Sequence, residues 1–204
     1  MLDRHIRPLI DPPLDRLGAG LAQAGVTANA VTLLGLISGI LAGFAIGYQA
    51  YGLALALIVA SRLADGLDGA IARATVPSDI GSYFDIVADF VFYAAIPLGF
   101  VWADPAANGL VGAALLGSFY INGASFLGFA ILAEKHQLST AARGRKSWYH
   151  SGGLLEGTET IALFVAFNLF PAAFVPLAWA FTGLCLFTAA GRVAMAWDLF
   201  RDQG

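Results

Sequence analysis

Charge is what this sequence has least of. Its 204 residues include 11 Lys and Arg and 14 Asp and Glu, together 12%, against about 25% in a soluble domain. Hydrophobic residues make up 58% and mean hydropathy is +0.74. The apolar residues come in long runs, which excludes an ordinary soluble domain and points to an integral membrane protein in one domain. The net charge of −3 gives no basic field for a nucleic-acid partner. The one cysteine, Cys185, excludes an intrachain disulfide; in its apolar run it reads as a small core or lipid-facing residue. The first 25 residues lack an apolar core for a signal peptide and hold Pro8, Pro12, Pro13, Asp3, Asp11 and Asp15 instead, so the first hydrophobic run, from Val31, is expected to stay in the mature chain.

What is there reads as an all-α membrane protein with six transmembrane helices, over 29–47, 51–74, 80–101, 109–133, 153–170 and 174–198. Each is long enough, at about 1.5 Å per residue, to cross most of a hydrocarbon core of about 30 Å. Residues 1–28 form an N-terminal interfacial segment and 29–204 the membrane domain. Within the first segment Leu14, Leu17, Gly18 and Leu21 recur at helical spacing opposite Asp15, Arg16 and Gln23. This predicts an amphipathic helix lying in the interface, started by Pro12 and Pro13. The connections 47–51, 102–108 and 168–174 contain no Lys or Arg. The positive-inside rule therefore places both termini and the connections 74–80 and 134–152 in the cytoplasm. Trp102, Tyr48 and Tyr51 suit an outer aromatic belt, and Trp148 and Tyr149 an inner one. Gly35, Gly39, Gly43 and Gly47, each four apart, give the first span a smooth face for close helix packing.

The charge that does enter the apolar runs is concentrated in DGLDGAIARATVPSDIGSYFDIVAD, residues 65–89. Asp65 and Asp68 are three apart on one helix face; Asp85 and Asp89 are four apart on the next. TVPSD breaks the helix between them, with Ser78 or Asp79 as cap. Folding the two spans into an antiparallel hairpin brings the four carboxylates to matched depth. An Asp at the centre of a membrane helix costs about 2.5–3.5 kcal/mol, and clustering adds repulsion. Arg62 and Arg73 are the only nearby cations and do not neutralise the set. One or two divalent ions would, and all-oxygen donors suit Mg²⁺, Mn²⁺ or Ca²⁺ better than zinc. An intramembrane carboxylate site in a cation transporter is the alternative from another class. A transporter needs charge along a path to both faces, whereas the outer half here holds only Asp104. Gly69 and Gly81 leave the wall open to a bulky ligand, and Arg73 offers a fork for phosphate. Together these suggest nucleotide-diphosphate chemistry at the membrane surface.

The pattern Asp65-x2-Asp68-Gly69-x2-Ala72-Arg73-x7-Gly81-x3-Asp85-x3-Asp89 resembles the signature of the CDP-alcohol phosphotransferases. It departs in its turn, where the gap between Arg73 and Gly81 is one residue shorter than the family usually has. Thr27-Ala28-Asn29-Ala30-Val31-Thr32 is similar to a Pro-Asn-x-x-Thr element of that family, with Ala28 in place of the proline. The resemblance implies six membrane helices, cytoplasmic termini and active site, a prokaryotic cell membrane, and a homodimer. It implies transfer of a substituted phosphate from a CDP-alcohol, here CDP-diacylglycerol, to a small alcohol acceptor, with release of CMP. It implies two Mg²⁺ or Mn²⁺ ions on Asp65, Asp68, Asp85 and Asp89, with Asp89 also taking the acceptor's proton. Gly69, Ala72, Arg73 and Gly81 would shape the CDP site, with Asn29 and Thr32 facing its phosphates or serving only as helix caps. For the acceptor, Arg143, Arg145 and Lys146 suit a phosphate, or anionic lipid headgroups. Glu156 and Glu159 suit a cationic or polyhydroxyl acceptor, or pairing with those arginines. Asn122 and Ser125 are read as interhelical hydrogen-bonding residues.

Overall fold

The computed structural model describes residues 3–136 and 157–201, and among these the secondary structure is entirely helical. The helices are α1 (Asp3–Gln23), α2 (Ala28–Gly47), α3 (Tyr51–Ala74), α4 (Asp79–Ala103), α5 (Pro105–Lys135), α6 (Gly157–Leu169) and α7 (Phe174–Phe200), with a 3₁₀ turn at Pro171–Ala173. Local chemistry sets several of their ends. Thr27 caps α2 by accepting from the Ala30 amide at 3.3 Å. Ser78 caps α4 by accepting from Gly81 at 3.2 Å. Asp104 caps α5 by accepting from Ala107 at 3.0 Å, and Pro105 opens that helix. These side-chain oxygens satisfy amides that have no intrahelical acceptor.

Four helices are long and apolar enough to cross a membrane: Ala28–Gly47, Asp79–Ala103, Pro105–Lys135 and Pro171–Phe200. Helix α3 matches them with 24 residues but carries Arg62, Asp65, Asp68 and Arg73. Helix α6 has 13 residues, about 20 Å at the usual rise, so it is shorter than the expected span 153–170; residues 153–156 lie outside the described residues. Large apolar side chains on α2, among them Leu33, Leu34, Ile37, Leu41 and Phe44, are exposed, as a lipid-facing surface requires.

The glycine face of α2 organises one half of the bundle. A Cβ on Gly35 would stand 3.1 Å from Ala64 in α3. One on Gly39 would stand 2.8 Å from the Phe92 ring, and one on Gly43 would stand 2.6 Å from the Ala95 carbonyl oxygen, both in α4. A side chain on Gly47 would collide with the Trp102 ring. Helices α3 and α4 therefore pack chiefly along α2, not along each other. The two arms of the expected antiparallel hairpin, consecutive in sequence, are thus held mainly by the helix before them. Opposite, α5 packs on α7. Phe92, Phe100, Phe164, Phe167 and Phe174 fill the interior, with Phe100 and Phe174 stacked at 4.5 Å.

Helix α1 begins at Asp3, not at Pro12, and runs through Pro8, Pro12 and Pro13. Proline loses a backbone donor, yet its φ is helical, so a helix can continue through it with bonds missing. The stripe is also divided. Gly18 sits directly on Ala70, and Leu14 fills the space left by Gly66, while Leu17 is 60% exposed. Helix α1 is thus docked on α3.

Candidate active site

Asp65, Asp68, Asp85 and Asp89 line one cleft, together with Thr32, Gly35, Leu36, Ser61, Arg62 and Ala88. The gathering follows from the packing above. Asp65 and Asp68 share a face of α3, Asp85 and Asp89 share a face of α4, and both faces turn toward the N-terminal half of α2. Helix α2 forms the floor between them, and Arg62 of α3 reaches across to Asp89 of α4, so the free volume left in the cleft is small, about 10 Å³.

Each acid has its own setting. Asp68 is buried and accepts a 2.5 Å hydrogen bond at Oδ2 from the Thr32 hydroxyl, which also lies 3.1 Å from the Ala28 carbonyl. Asp89 accepts at Oδ1 from Arg62 Nη1 at 2.7 Å. The same Nη1 lies 3.6 Å from Asp65 Oδ1. Arg62 also donates from Nη2 to the buried Ser61 hydroxyl at 3.2 Å, and its guanidinium lies 3.9 Å from the centre of the Phe92 ring. Asp65 and Asp89 are therefore level across the cleft, as their matched distance from the turn predicts. With Asp68 turned to Thr32 and Asp89 to Arg62, no three acidic, His or Cys side chains among the described residues form a finished cage for a metal. The donor chemistry nonetheless suits a hard divalent ion: among the described residues, four carboxylates face a cleft whose only basic lining residue is Arg62.

The remaining expected site residues fall at the rim. A Cβ on Gly81 would come 3.0 Å from Ser78 Oγ and 3.1 Å from Asn29 Oδ1, so Asn29 and Gly81 are neighbours where α2 and α4 begin. Thr27, and not Asn29 or Thr32, is the cap of α2. Gly69 has only Arg73 Nη1 near the place of its absent side chain, at 3.2 Å. Ala72 is half-buried beside it. Arg73 itself turns away from the carboxylates and holds Asp15 of α1, donating from Nη2 at 2.7 Å and from Nε at 3.2 Å.

Of the expected acceptor residues, Arg143, Arg145, Lys146 and Glu156 lie outside the described residues. Glu159 stands in the first turn of α6, which packs against α3. Asn122 and Ser125 do bridge helices, and their partner is Arg192 of α7. Its Nη1 donates to Asn122 Oδ1 at 3.0 Å, to the Asn122 carbonyl at 3.0 Å and to Ser125 Oγ at 2.6 Å. Sequence reasoning missed this arginine; it named Arg62 as a cation near the quartet but did not set it between Asp65 and Asp89. Arg62 had left a signal, since it precedes Asp65 by one helical turn.

Residues 25–199 match the CDP-alcohol phosphatidyltransferase family. The chain is similar to the inner membrane protein YnjF of Escherichia coli K12, 47% identical over 193 residues, which is 95% of this chain and 94% of that protein. It is similar to the archaetidylinositol phosphate synthase of Pyrococcus horikoshii, 32% identical over 118 residues, covering 57% of this chain and 63% of that one. In fold it resembles the crystal structure of the Mycobacterium tuberculosis phosphatidylinositol phosphate synthase with CDP-DAG bound. That match has a TM-score of 0.69 over 90% of this chain and 93% of the other, at 18% identity.

Proposed function

Because the chain belongs to the CDP-alcohol phosphatidyltransferase family, we propose that its acidic cleft passes a phosphatidyl group from CDP-diacylglycerol to an alcohol that itself carries a phosphate. The family's chemistry is phospholipid synthesis from a CDP-alcohol, and an integral membrane protein built of apolar helices suits it. The observation that carries the reading is the convergence of the four motif aspartates on one cleft between α3 and α4. The family match displaces the transporter alternative.

The acceptor hydroxyl oxygen attacks the phosphorus that bears the lipid alcohol. The bond from that phosphorus to the bridging oxygen breaks, and CMP leaves with the electron pair. Asp89 takes the hydroxyl proton. Asp65, Asp68 and Asp85, with Asp89, would hold two Mg²⁺ or Mn²⁺ ions, whose contribution when bound is to neutralise the pyrophosphate and the departing CMP. Thr32 fixes Asp68 by its hydrogen bond. Asn29 and Gly81 form the rim where the cytidine phosphates enter, and Gly69 and Ala72 leave room on the opposite wall. Arg73 is held by Asp15 and turns to the nucleotide when it arrives. The cleft opens to the cytoplasm of a prokaryotic cell, and a homodimer is the expected assembly.

Two observations favour a phosphorylated acceptor. Both synthases named above are named for making inositol phosphate lipids. Arg192 is held by Asn122 and Ser125, which are neutral, so its charge remains for an anion. Arg143, Arg145 and Lys146 would add to that field.

Purified protein given CDP-diacylglycerol, Mn²⁺ and inositol phosphate or glycerol phosphate should release CMP, and excess EDTA should stop it. Product lipids read by mass spectrometry identify the acceptor. Equal turnover with unphosphorylated alcohols would overturn the acceptor assignment, and CMP release surviving EDTA would overturn the metal assignment.

A further inference from the structure

Among the described residues, Arg62 is the one strongly basic group lining the acidic cleft, and its seat is well built. Its side chain is 14% exposed. Below it lie Phe92 and Ser61, both fully buried, with the ring 3.9 Å from the guanidinium carbon and the hydroxyl 3.2 Å from Nη2. Its Nε is buried with no hydrogen-bond partner. A desolvated guanidinium that forgoes one of its five donors is costly, and what compensates is the acid above it: Asp89 Oδ1 at 2.7 Å and Asp65 Oδ1 at 3.6 Å. Both contacts use the same nitrogen, which sits between a carboxylate of α3 and one of α4. Both are among the four acids that would hold a divalent ion.

Resting on the metal reading given above, we infer that Arg62 is the resident counter-cation of the cleft, and that a divalent ion binds by displacing it from Asp89. Without metal, Arg62 ties α3 to α4 across the cleft and relieves the repulsion among the four acids. It thereby keeps the site assembled when empty. The same contact makes metal entry competitive, because one carboxylate oxygen cannot give its lone pairs fully to both cations, and the two cations repel each other at this range. The quartet's affinity for divalent ions is held down by a residue outside the motif, one helical turn before it.

The test is calorimetric titration of Mn²⁺ into wild type and Arg62→Gln in nanodiscs, with thermal unfolding in EDTA and at saturating Mn²⁺. Arg62→Gln should bind Mn²⁺ more tightly, by about tenfold or more. It should melt below wild type in EDTA, with the difference shrinking when Mn²⁺ is saturating. Arg62→Lys, which keeps the charge, should stay near wild type in Mn²⁺ affinity. Unchanged or weaker Mn²⁺ binding by Arg62→Gln overturns the inference and leaves the metal reading standing. Absence of Mn²⁺ binding to wild type overturns both. If the Gln variant does not fold, a wild-type structure with Mn²⁺ bound decides: an Arg62–Asp89 contact broken beyond hydrogen-bonding distance supports displacement, and a retained contact rules it out.

Discussion

At the scale of single residues, the four aspartates are not equivalent. Asp68 is buried against Thr32 and Asp89 is turned to Arg62, so substitutions at the two are expected to have different effects. Asp89→Asn should lower kcat about 10²- to 10⁴-fold, the usual contribution of a general base, and, because it takes away the partner of Arg62, should also lower the melting temperature in EDTA. Activity within a few-fold of wild type would remove Asp89 as the base. Thr32→Val keeps the shape of a buried residue while deleting the donor to Asp68. A hydrogen bond to a charged group contributes about 1.5–3 kcal/mol, so Mn²⁺ affinity should fall by roughly tenfold or more in the Thr32→Val protein, with Thr32→Ser restoring it. Equal affinities for wild type and both variants would show that the hydroxyl does not position Asp68. These roles were only partly legible beforehand. The aspartates stood out because carboxylates in apolar runs are costly, whereas Thr32 and Arg62, though singled out in sequence, gave no sign that their partners would be Asp68 and Asp89.

At the scale of elements, the decisive helix is α2, which contributes no carboxylate. Its glycines let α3 and α4 approach from two sides, and so bring both pairs of acids to one cleft. A Cβ on Gly43 would stand 2.6 Å from a backbone oxygen of Ala95, which cannot rotate away. Gly43→Ala should therefore destabilise by about 1–3 kcal/mol. Gly117 on α5 has nothing within 4 Å of that position, so Gly117→Ala should be neutral or stabilising by up to about 1 kcal/mol. Melting temperatures in one detergent compare them, and equal shifts for the two variants would refute the packing role of the stripe. The glycine spacing foretold a close-packed face. It did not say which helices use it, because a smooth surface accepts any neighbour.

At the scale of the whole molecule, the basic residues and the acidic cleft define one working end. The connections Tyr48–Ala50, Asp104 and Phe170–Ala173 hold no Lys or Arg, and the described helix ends opposite them carry Arg73, Lys135 and Arg201. The positive-inside rule predicts that this end faces the cytoplasm. In a Cys185→Ala background, Gln49→Cys should react with an impermeant maleimide on intact spheroplasts, and Ser78→Cys only after permeabilisation. The opposite labelling pattern would invert the topology and place the cleft outside the cell.

The sequence by itself determined the membrane class, the helix boundaries to within a few residues for most spans, and the identity of the acidic quartet. These are local or compositional properties: apolar run length, capping residues, and carboxylates spaced by a helical turn. Tertiary structure decided what spacing cannot express. It chose α2 as the seat for both arms of the motif, docked α1 on α3 so that Asp15 holds Arg73, and set Arg62 between two acids from different helices. The reason is that a pairing across helices depends on which faces meet, and faces meet where side chains are small enough to let backbones approach.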